Sequence, residues 1–488
     1  MLLQMNDSTA ARPAEPGSAI TPPVRTGRRT RLTALIVACA LFMQNMDSTV
    51  ISTALPTIAK AFGAEPTHMN VALTSYMLSL AVFIPCSGWL ADRFGTRTIF
   101  RLAIVVFTLG SVLSGSANSL TFLVCARILQ GFGGAMMVPV GRLLLLRTVP
   151  KSEMVAAMAW LSTPALLGPV LGPPLGGFIV TYFSWRYIFA INIPIGILGI
   201  LLVTLFVEDI REPTDRKFDW RGFAFSSVAL ACLMFGLETL GRGVVPKPIS
   251  LASLAVGAVA GVAYLAHAWG HPRPIIDFSL LRIPTFAVAI VAGTLFRIGI
   301  GAIPFLLPMM LQLTFDQSPA QSGLITFASS LGALFMKPAA THALRWLGFR
   351  DTLVWNAILS ASLLSLCAFF TPMWPAALIY AALLLGGFFR SLQFTAYNAL
   401  AYADVPRDRM SSATGFYSAM QQISLTLGVS VAAASLTVTM AVSSHATPLL
   451  SDFSTAFLIV SVISLCAAPF ALTMPRTAAT ELSGHRER

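Results

Sequence analysis

From Leu32 to Met474 long apolar stretches alternate with short polar breaks, and the breaks carry most of the charge. The stretches run to roughly 18–25 residues, enough to cross a ~30 Å hydrocarbon core at about 1.5 Å per residue. Fourteen helical segments are predicted, at residues 32–58, 69–91, 98–116, 118–142, 155–180, 187–207, 222–240, 249–269, 285–312, 321–343, 352–371, 375–402, 412–440 and 453–474. Alternating segments of about ten residues, the mark of a membrane β-barrel, do not occur. The first 31 residues differ: "ARPAEPGSAITPPVRTGRRTR" is polar, rich in Pro and Arg, and without an apolar signal core, which predicts a disordered tail.

Composition makes these helices membrane spans. Of 488 residues, 56% are apolar and 11% charged, with a mean hydropathy of +0.76. A soluble chain carries about 25% charged residues, so too few charges exist to coat a water-facing surface. The fold class is therefore an all-α polytopic membrane protein. The net charge of +12 points to cytoplasmic loops rather than to nucleic acid. With the N-terminus inside, about 24 of the 32 Lys and Arg fall in inner segments. Lys60, Arg186, Arg242 and Lys247 fall outside, and Arg127, Arg297, Lys337 and Arg390 lie within spans. Both termini are then cytoplasmic. Trp89, Trp185, Trp220, Trp269, Trp346 and Trp374 sit near span ends, as interface anchors should. The six cysteines all lie in apolar spans without metal-type spacing, and packed thiols are expected. No Ser/His/Asp set, HExxH, paired-carboxylate site or nucleotide loop is visible, so neither an enzyme nor an ATP-driven pump is expected, and no metal.

Two echoes divide the chain. Aligning Gly95 with Gly348 also aligns Arg97 with Arg350, and "ARILQ" matches "FRSLQ", pairing Arg127 and Gln130 with Arg390 and Gln393. Repeats of this kind build transporters, with a binding site at the midplane between them. The predicted organisation is a tail over 1–31, a six-helix bundle over 32–207, a linker with two extra helices over 208–284, a second six-helix bundle over 285–474 and a tail over 475–488.

Within "LFMQNMDSTVISTALP" sits Asp47, and a carboxylate costs about 2.5–3.5 kcal/mol at the centre of a membrane helix. Gln44, Asp47, Ser48 and Ser52 fall on one helical face, which must look into the bundle or a wet cavity. Arg127 has similar depth and is the partner candidate. Burial favours the protonated acid and a nearby arginine the carboxylate, and the balance changes as a cavity opens. Asp47 with Arg127 is thus a candidate proton-coupling pair; a purely structural pair is the alternative. Gln44, Gln130, Arg297, Lys337, Arg390, Gln393, Tyr397 and Asn398 are candidates to line a substrate cavity. Its surplus of positive charge would suit an anionic or zwitterionic substrate, such as an organic acid. The alternative is that these arginines bond backbone carbonyls or structural acids.

Four stretches resemble signatures of the major facilitator superfamily: "GWLADRFGTR", "RILQGFGGAMMVP", "GPVLGPPLGG" and "MDSTVISTALP". The last, with "SWRYIFAINIPIG" and "FDWRG", is similar to the fourteen-span drug:proton antiporter branch and its proteobacterial multidrug-resistance exporters. The resemblance implies two six-helix bundles plus two extra helices. It also implies a bacterial inner-membrane location and alternating-access export of small molecules by a monomer, driven by protons without a cofactor. Gly88, Asp92, Arg93, Gly95 and Arg97 match a gating loop, with Arg93 and Arg97 as partner candidates for Asp92. The family reading is a charge latch at the inner face; by spacing alone, a charged cytoplasmic turn that only enforces orientation is the alternative. Gly168, Gly172, Pro173, Gly176 and Gly177 match an export-associated motif, expected to give a kinked, smooth surface against which the other half slides; ordinary close packing of another helix on the small-residue stripe is the alternative. An uptake symporter, and a channel or membrane receptor, are the competing readings.

Overall fold

The computed structural model describes residues 27–63, 70–150, 153–207, 217–242, 245–272, 274–317, 319–445 and 448–483. Apolar stretches with no water to satisfy their backbone leave the helix as the available solution, and the described residues form helices joined by turns and short loops, without a strand. In chain order they are α1 Gly27–Phe62, α2 Asn70–Phe83, α3 Ser87–Phe94, α4 Thr96–Gly115, α5 Leu120–Thr148, α6 Met154–Tyr182, α7 Tyr187–Ala190 and α8 Asn192–Phe206. Then follow α9 Trp220–Arg242, α10 Lys247–Gly270, α11 Pro284–Thr314, α12 Pro319–Leu366, α13 Ala376–Leu400, α14 Met410–Val442, α15 Leu450–Leu465, α16 Ala467–Leu472 and α17 Thr480–Ser483. Among the described residues, eleven helices are long and apolar enough to cross a membrane. The other three predicted segments, 69–91, 155–180 and 321–343, are helical too, within α2–α3, α6 and the first arm of α12. Length and composition thus support eleven of the fourteen crossings.

Helices α1 to α8 pack among themselves, as do α11 to α16, and α9 pairs with α10. The two groups meet where α6 lies on α12 and α13, and where α3 and α5 lie on α14. The α9–α10 hairpin is inserted at the seam. Ser227 Oγ on α9 donates to the Val82 carbonyl of α2 at 3.1 Å, and Ser430 Oγ on α14 donates to the Leu237 carbonyl of α9 at 2.8 Å. One inserted helix therefore touches both groups.

The repeat has a backbone counterpart. Gly95 ends α3 at φ 92°, ψ 137°, and Gly348 breaks α12 into two arms at φ 72°, ψ 174°. These aligned glycines turn the chain in a region almost closed to side-chain-bearing residues. Trp220, Trp269 and Trp346 project outward as interface anchors, but Trp185 does not. It is buried between Phe62 and Phe189 with the Arg186 guanidinium 4.6 Å from its ring. An indole at a span end satisfies either environment, and only packing selects one. The six cysteines form no disulfide; Cys86 and Cys367 are buried, whereas Cys125 and Cys466 face outward rather than into packed contacts.

Gly348→Ala and Gly95→Ala should each destabilise the purified protein by about 1–3 kcal/mol. Gly261→Ala is the control, since nothing lies within 4 Å of a Cβ built there. Thermal unfolding in detergent separates the outcomes.

Candidate functional site

Asp47 lies midway along α1 with 1% of its side chain exposed. Its Oδ2 accepts a hydrogen bond from Arg127 Nη1 at 2.6 Å. Its Oδ1 accepts from Gln130 Nε2 at 2.9 Å and from Asn192 Nδ2 at 2.8 Å. Arg127 is itself held in place: Nη1 also donates to Gln130 Oε1 at 2.7 Å, Nε donates to the Ala72 carbonyl at 3.3 Å, and the guanidinium sits 4.2 Å from the Tyr76 ring centroid. Asn192 donates onward to Ser111 Oγ at 2.9 Å, and that hydroxyl donates to the Phe189 carbonyl at 2.9 Å. Side chains from α5 and α8 thus converge on one carboxylate of α1, with Ser111 of α4 behind Asn192.

Missing side chains make that convergence possible. A Cβ at Gly131 on α5 would lie 2.6 Å from Ser79 Cβ on α2, and one at Gly110 on α4 would lie 2.7 Å from the Gln130 backbone. On α6, a Cβ at Gly168 would lie 2.8 Å from the Met46 nitrogen, and one at Gly172 would lie 2.0 Å from Thr49 Oγ1. The glycine stripe that was expected to face the other half therefore faces α1, beside Asp47. Gly176 is also buried, a Cβ at Gly177 would meet nothing within 4 Å, and the side chain of Pro173 lies outside the described residues. The stripe seats the acid-bearing helix, because only bare backbone lets α6 approach it this closely.

The predicted Asp47–Arg127 pairing is present. Gln130, expected in a substrate cavity, instead bridges the pair. Gln44 is buried on the same helix, with no partner for Oε1 among the described residues; the side chain of Ser52 lies outside them. Asn192, Ser111 and Tyr76 were not anticipated. The one available signal was Asn192, the single amide in the span 187–206, whose mean hydropathy is 2.5.

The gating loop packs against α14. A Cβ at Gly88 would sit 2.6 Å from the Ser411 carbonyl oxygen. Asp92 Oδ1 accepts from Arg147 Nη2 at 2.6 Å, Arg147 Nη1 donates to Thr96 Oγ1 at 2.7 Å, and Ser411 Oγ donates to Asp92 Oδ2 at 2.5 Å. The expected partners were Arg93 and Arg97. Arg93 is exposed, and Arg97 donates to the Thr204 carbonyl. Adjacent helical residues point about 100° apart, and the turn at Gly95 carries Arg97 onto the next helix, so the partner comes from α5.

A third cluster spans the two groups. Arg142 on α5 donates to Tyr402 Oη at 3.2 Å, Ser418 Oγ at 3.3 Å and Gln421 Oε1 at 3.1 Å. Arg297 on α11 is fully buried and donates to Tyr417 Oη. Both guanidiniums flank the Tyr417 ring, at 5.2 and 4.8 Å from its centroid. Neither pairs with a carboxylate among the described residues, and Arg297 Nε and Nη1 and Arg142 Nε lack acceptors there. Arg142 is the last residue of the predicted span 118–142 and was not among the cavity candidates; α5 continues past it to Thr148.

The remaining candidates lie within the second half. Gln393 Nε2 donates to the Leu353 carbonyl at 3.0 Å and to Tyr397 Oη at 3.3 Å, while Asn356 Nδ2 donates to Gln393 Oε1 at 2.7 Å. Gln393 thus ties α13 to α12. Arg390 donates to Ser329 Oγ at 2.5 Å. Asn398 is buried, and its Oδ1 lacks a partner among the described residues. The side chain of Lys337 lies outside them.

Asn192→Leu takes one of the three donors from a buried carboxylate and should cost about 1–3 kcal/mol. Arg127→Gln should cost more, about 3–5 kcal/mol, because it leaves an uncompensated charge. Neutralising the acid as well, in Asp47→Asn with Arg127→Gln, should recover part of that loss. Thermal unfolding of the four proteins measures it.

Comparison with known proteins supports one assignment. A family model described as Major Facilitator Superfamily matches residues 37–429 and 289–487. A protein described provisionally as multidrug resistance protein MdtD, from Escherichia coli O6:H1, is 40% identical over 406 residues, covering 83% of this chain and 85% of the relative. Its namesake from Citrobacter koseri matches to the same extent. Among solved structures, the human organic anion transporter MFSD10 superposes with a TM-score of 0.66 at 14% identity, over 92% of this chain and 100% of that one. The proton:xylose symporter XylE superposes with a TM-score of 0.65 at 15% identity, over 94% and 98%. At such identities the two structures speak for the fold alone. Its apolar helices and its bacterial relatives make this an inner-membrane transporter rather than an enzyme. The chain belongs to the major facilitator superfamily and is similar there to the MdtD multidrug resistance proteins.

Proposed function

We propose that the chain exports small molecules in exchange for protons, by alternating access, and that it favours substrates bearing negative charge. The observation that carries the reading is Asp47: a buried acid on α1, bonded to Arg127, Gln130 and Asn192 from two other helices. Protonation removes the charge that holds these donors, so loading a proton and repacking α1 against α5 and α8 are one event. Proton entry is downhill by ~2.3 kcal/mol per 100 mV. At ~1.4 kcal/mol per decade this supports roughly fiftyfold accumulation per charge moved.

Direction and side follow from the same frame. The relatives described as multidrug resistance proteins favour export, and the distribution of Lys and Arg supports a cytoplasmic side for the loop carrying Asp92 and for both termini. Asp92 and Gly88, bonded to and packed against Ser411, and Arg142, bonded to Tyr402, Ser418 and Gln421, act as the inner latch between halves. The substrate reading rests on Arg142 and Arg297. Two buried cations around one tyrosine, with N–H groups lacking acceptors, favour a carboxylate or phosphate at the seam. Arg390 adds a further buried cation in the second half.

In proteoliposomes, Asp47→Asn should abolish accumulation driven by a pH gradient while leaving substrate exchange between equal compartments intact. Full gradient-driven transport by that variant would end the coupling proposal. In inverted vesicles, Arg297→Gln and Arg142→Gln should weaken apparent affinity for a tricarboxylate roughly tenfold, equivalent to about 1.5 kcal/mol for a hydrogen bond to a charged group. Wild-type transport of a cationic dye, unaffected by excess anion, would overturn the preference.

A further inference from the structure

We propose that Asp219, His267 and His271 form a binding site for a divalent transition-metal ion, of the zinc, cobalt or nickel kind, at the foot of the inserted α9–α10 hairpin. One ligand atom from each of the three lies within 4.8 Å of the others. His267 Nε2 is 2.8 Å from Asp219 Oδ1, and the two imidazole rings are 5.2 Å apart, tilted by 33°. His267 belongs to the last turn of α10 and His271 caps it four residues on, a spacing that brings both rings to one side of a helix. A tetrahedral zinc ion with bonds of about 2.0–2.1 Å sets its ligand atoms about 3.4 Å apart. A change of the His271 side-chain rotamer on metal binding closes the remaining distance.

The donor set selects the metal class. Two imidazoles and one carboxylate suit zinc, cobalt and nickel; calcium and magnesium demand oxygen ligands throughout. Asp219 is built to hold its place. Its side chain is 3% exposed, its Oδ1 accepts the Gly222 N–H at 2.8 Å to cap α9, and its Oδ2 has no hydrogen-bond partner among the described residues. Access exists from the His271 side, where a cavity of about 450 Å³ is lined by His271, Trp269 and Pro272. A water molecule from that cavity can supply the fourth ligand.

The position gives such an ion leverage. Phe218, next to Asp219, packs on Trp89 of α3 with ring centroids 4.8 Å apart. Asp219 lines a crevice with Gly88, Trp89 and Ser411, which are residues of the seam between α3 and α14. An ion joining Asp219 to the end of α10 therefore stiffens the segment that lies against the latch. Occupancy should slow opening of that seam.

The test uses the full chain in detergent, carrying no histidine tag, titrated with cobalt(II). Wild type should bind one equivalent with a visible ligand-field band that zinc(II) displaces. The His267→Gln/His271→Gln double variant should lose the band. Asp219→Asn keeps an oxygen to cap α9 and should weaken cobalt affinity by roughly tenfold or more, with unchanged thermal unfolding in metal-free buffer. His445→Gln should bind as wild type. A wild-type protein without the band, or a double variant that keeps it, overturns the proposal. Neither result depends on transport, so the site fails or stands apart from proton coupling.

Discussion

A carboxylate inside a lipid-embedded bundle has no water to solvate it, so the protein must do so. Asp47 meets this demand with three N–H donors on α5 and α8, one of them cationic. The requirement spreads outward. Arg127 needs acceptors for its own protons and takes the Ala72 carbonyl and Gln130. Asn192 is turned by Ser111, and Ser111 by the Phe189 carbonyl. Each group satisfied fixes the next, until α1, α2, α4, α5 and α8 are held in one register. The glycines on α4, α5 and α6 follow from the same need, because donors reach the acid only if the backbones close on it.

The second half inherits the repeat without the acid. Arg390 and Gln393 occupy the positions that align with Arg127 and Gln130, yet Arg390 meets a serine hydroxyl and Gln393 is spent on Leu353, Asn356 and Tyr397. One half thus holds a neutralised pair and the other buried cations. Cations without a carboxylate among the described residues, Arg142 on α5 and Arg297 on α11, meet instead across the two halves at Tyr417 of α14. Arg142 crosses from the first half to the second, so the cation cluster exists only while these faces are together.

The inserted hairpin changes the mechanical problem. In a two-bundle transporter the seam needs only to part and rejoin. Here α9 bonds to α2 on one side and α14 on the other, and Phe218, just before its first turn, packs on Trp89 of α3. Whatever stiffens or frees the hairpin acts on both bundles at once. Serine-to-carbonyl bonds suit that place, since they hold through one hydroxyl each and re-form without stranding a charge.

Much was legible before any coordinates. Helix and membrane follow from apolar length and scarce charge, because lipid accepts little else. The Asp47–Arg127 pair followed from matched depth, because a lone acid in a span must find a cation. The aligned glycines Gly95 and Gly348 were visible as a repeat, and a backbone that demands positive φ explains why both are glycine. What remained hidden involved choices among equals. Any of three arginines could have served Asp92, and helix direction awarded it to Arg147. The glycine stripe on α6 could have faced either half, and contact with α1 decided. Asn192, Ser111 and the sharing of Tyr417 by Arg142 and Arg297 bring together residues far apart in the chain. Periodicity along one helix tells which side chains share a face; only the packing of helices tells what that face meets.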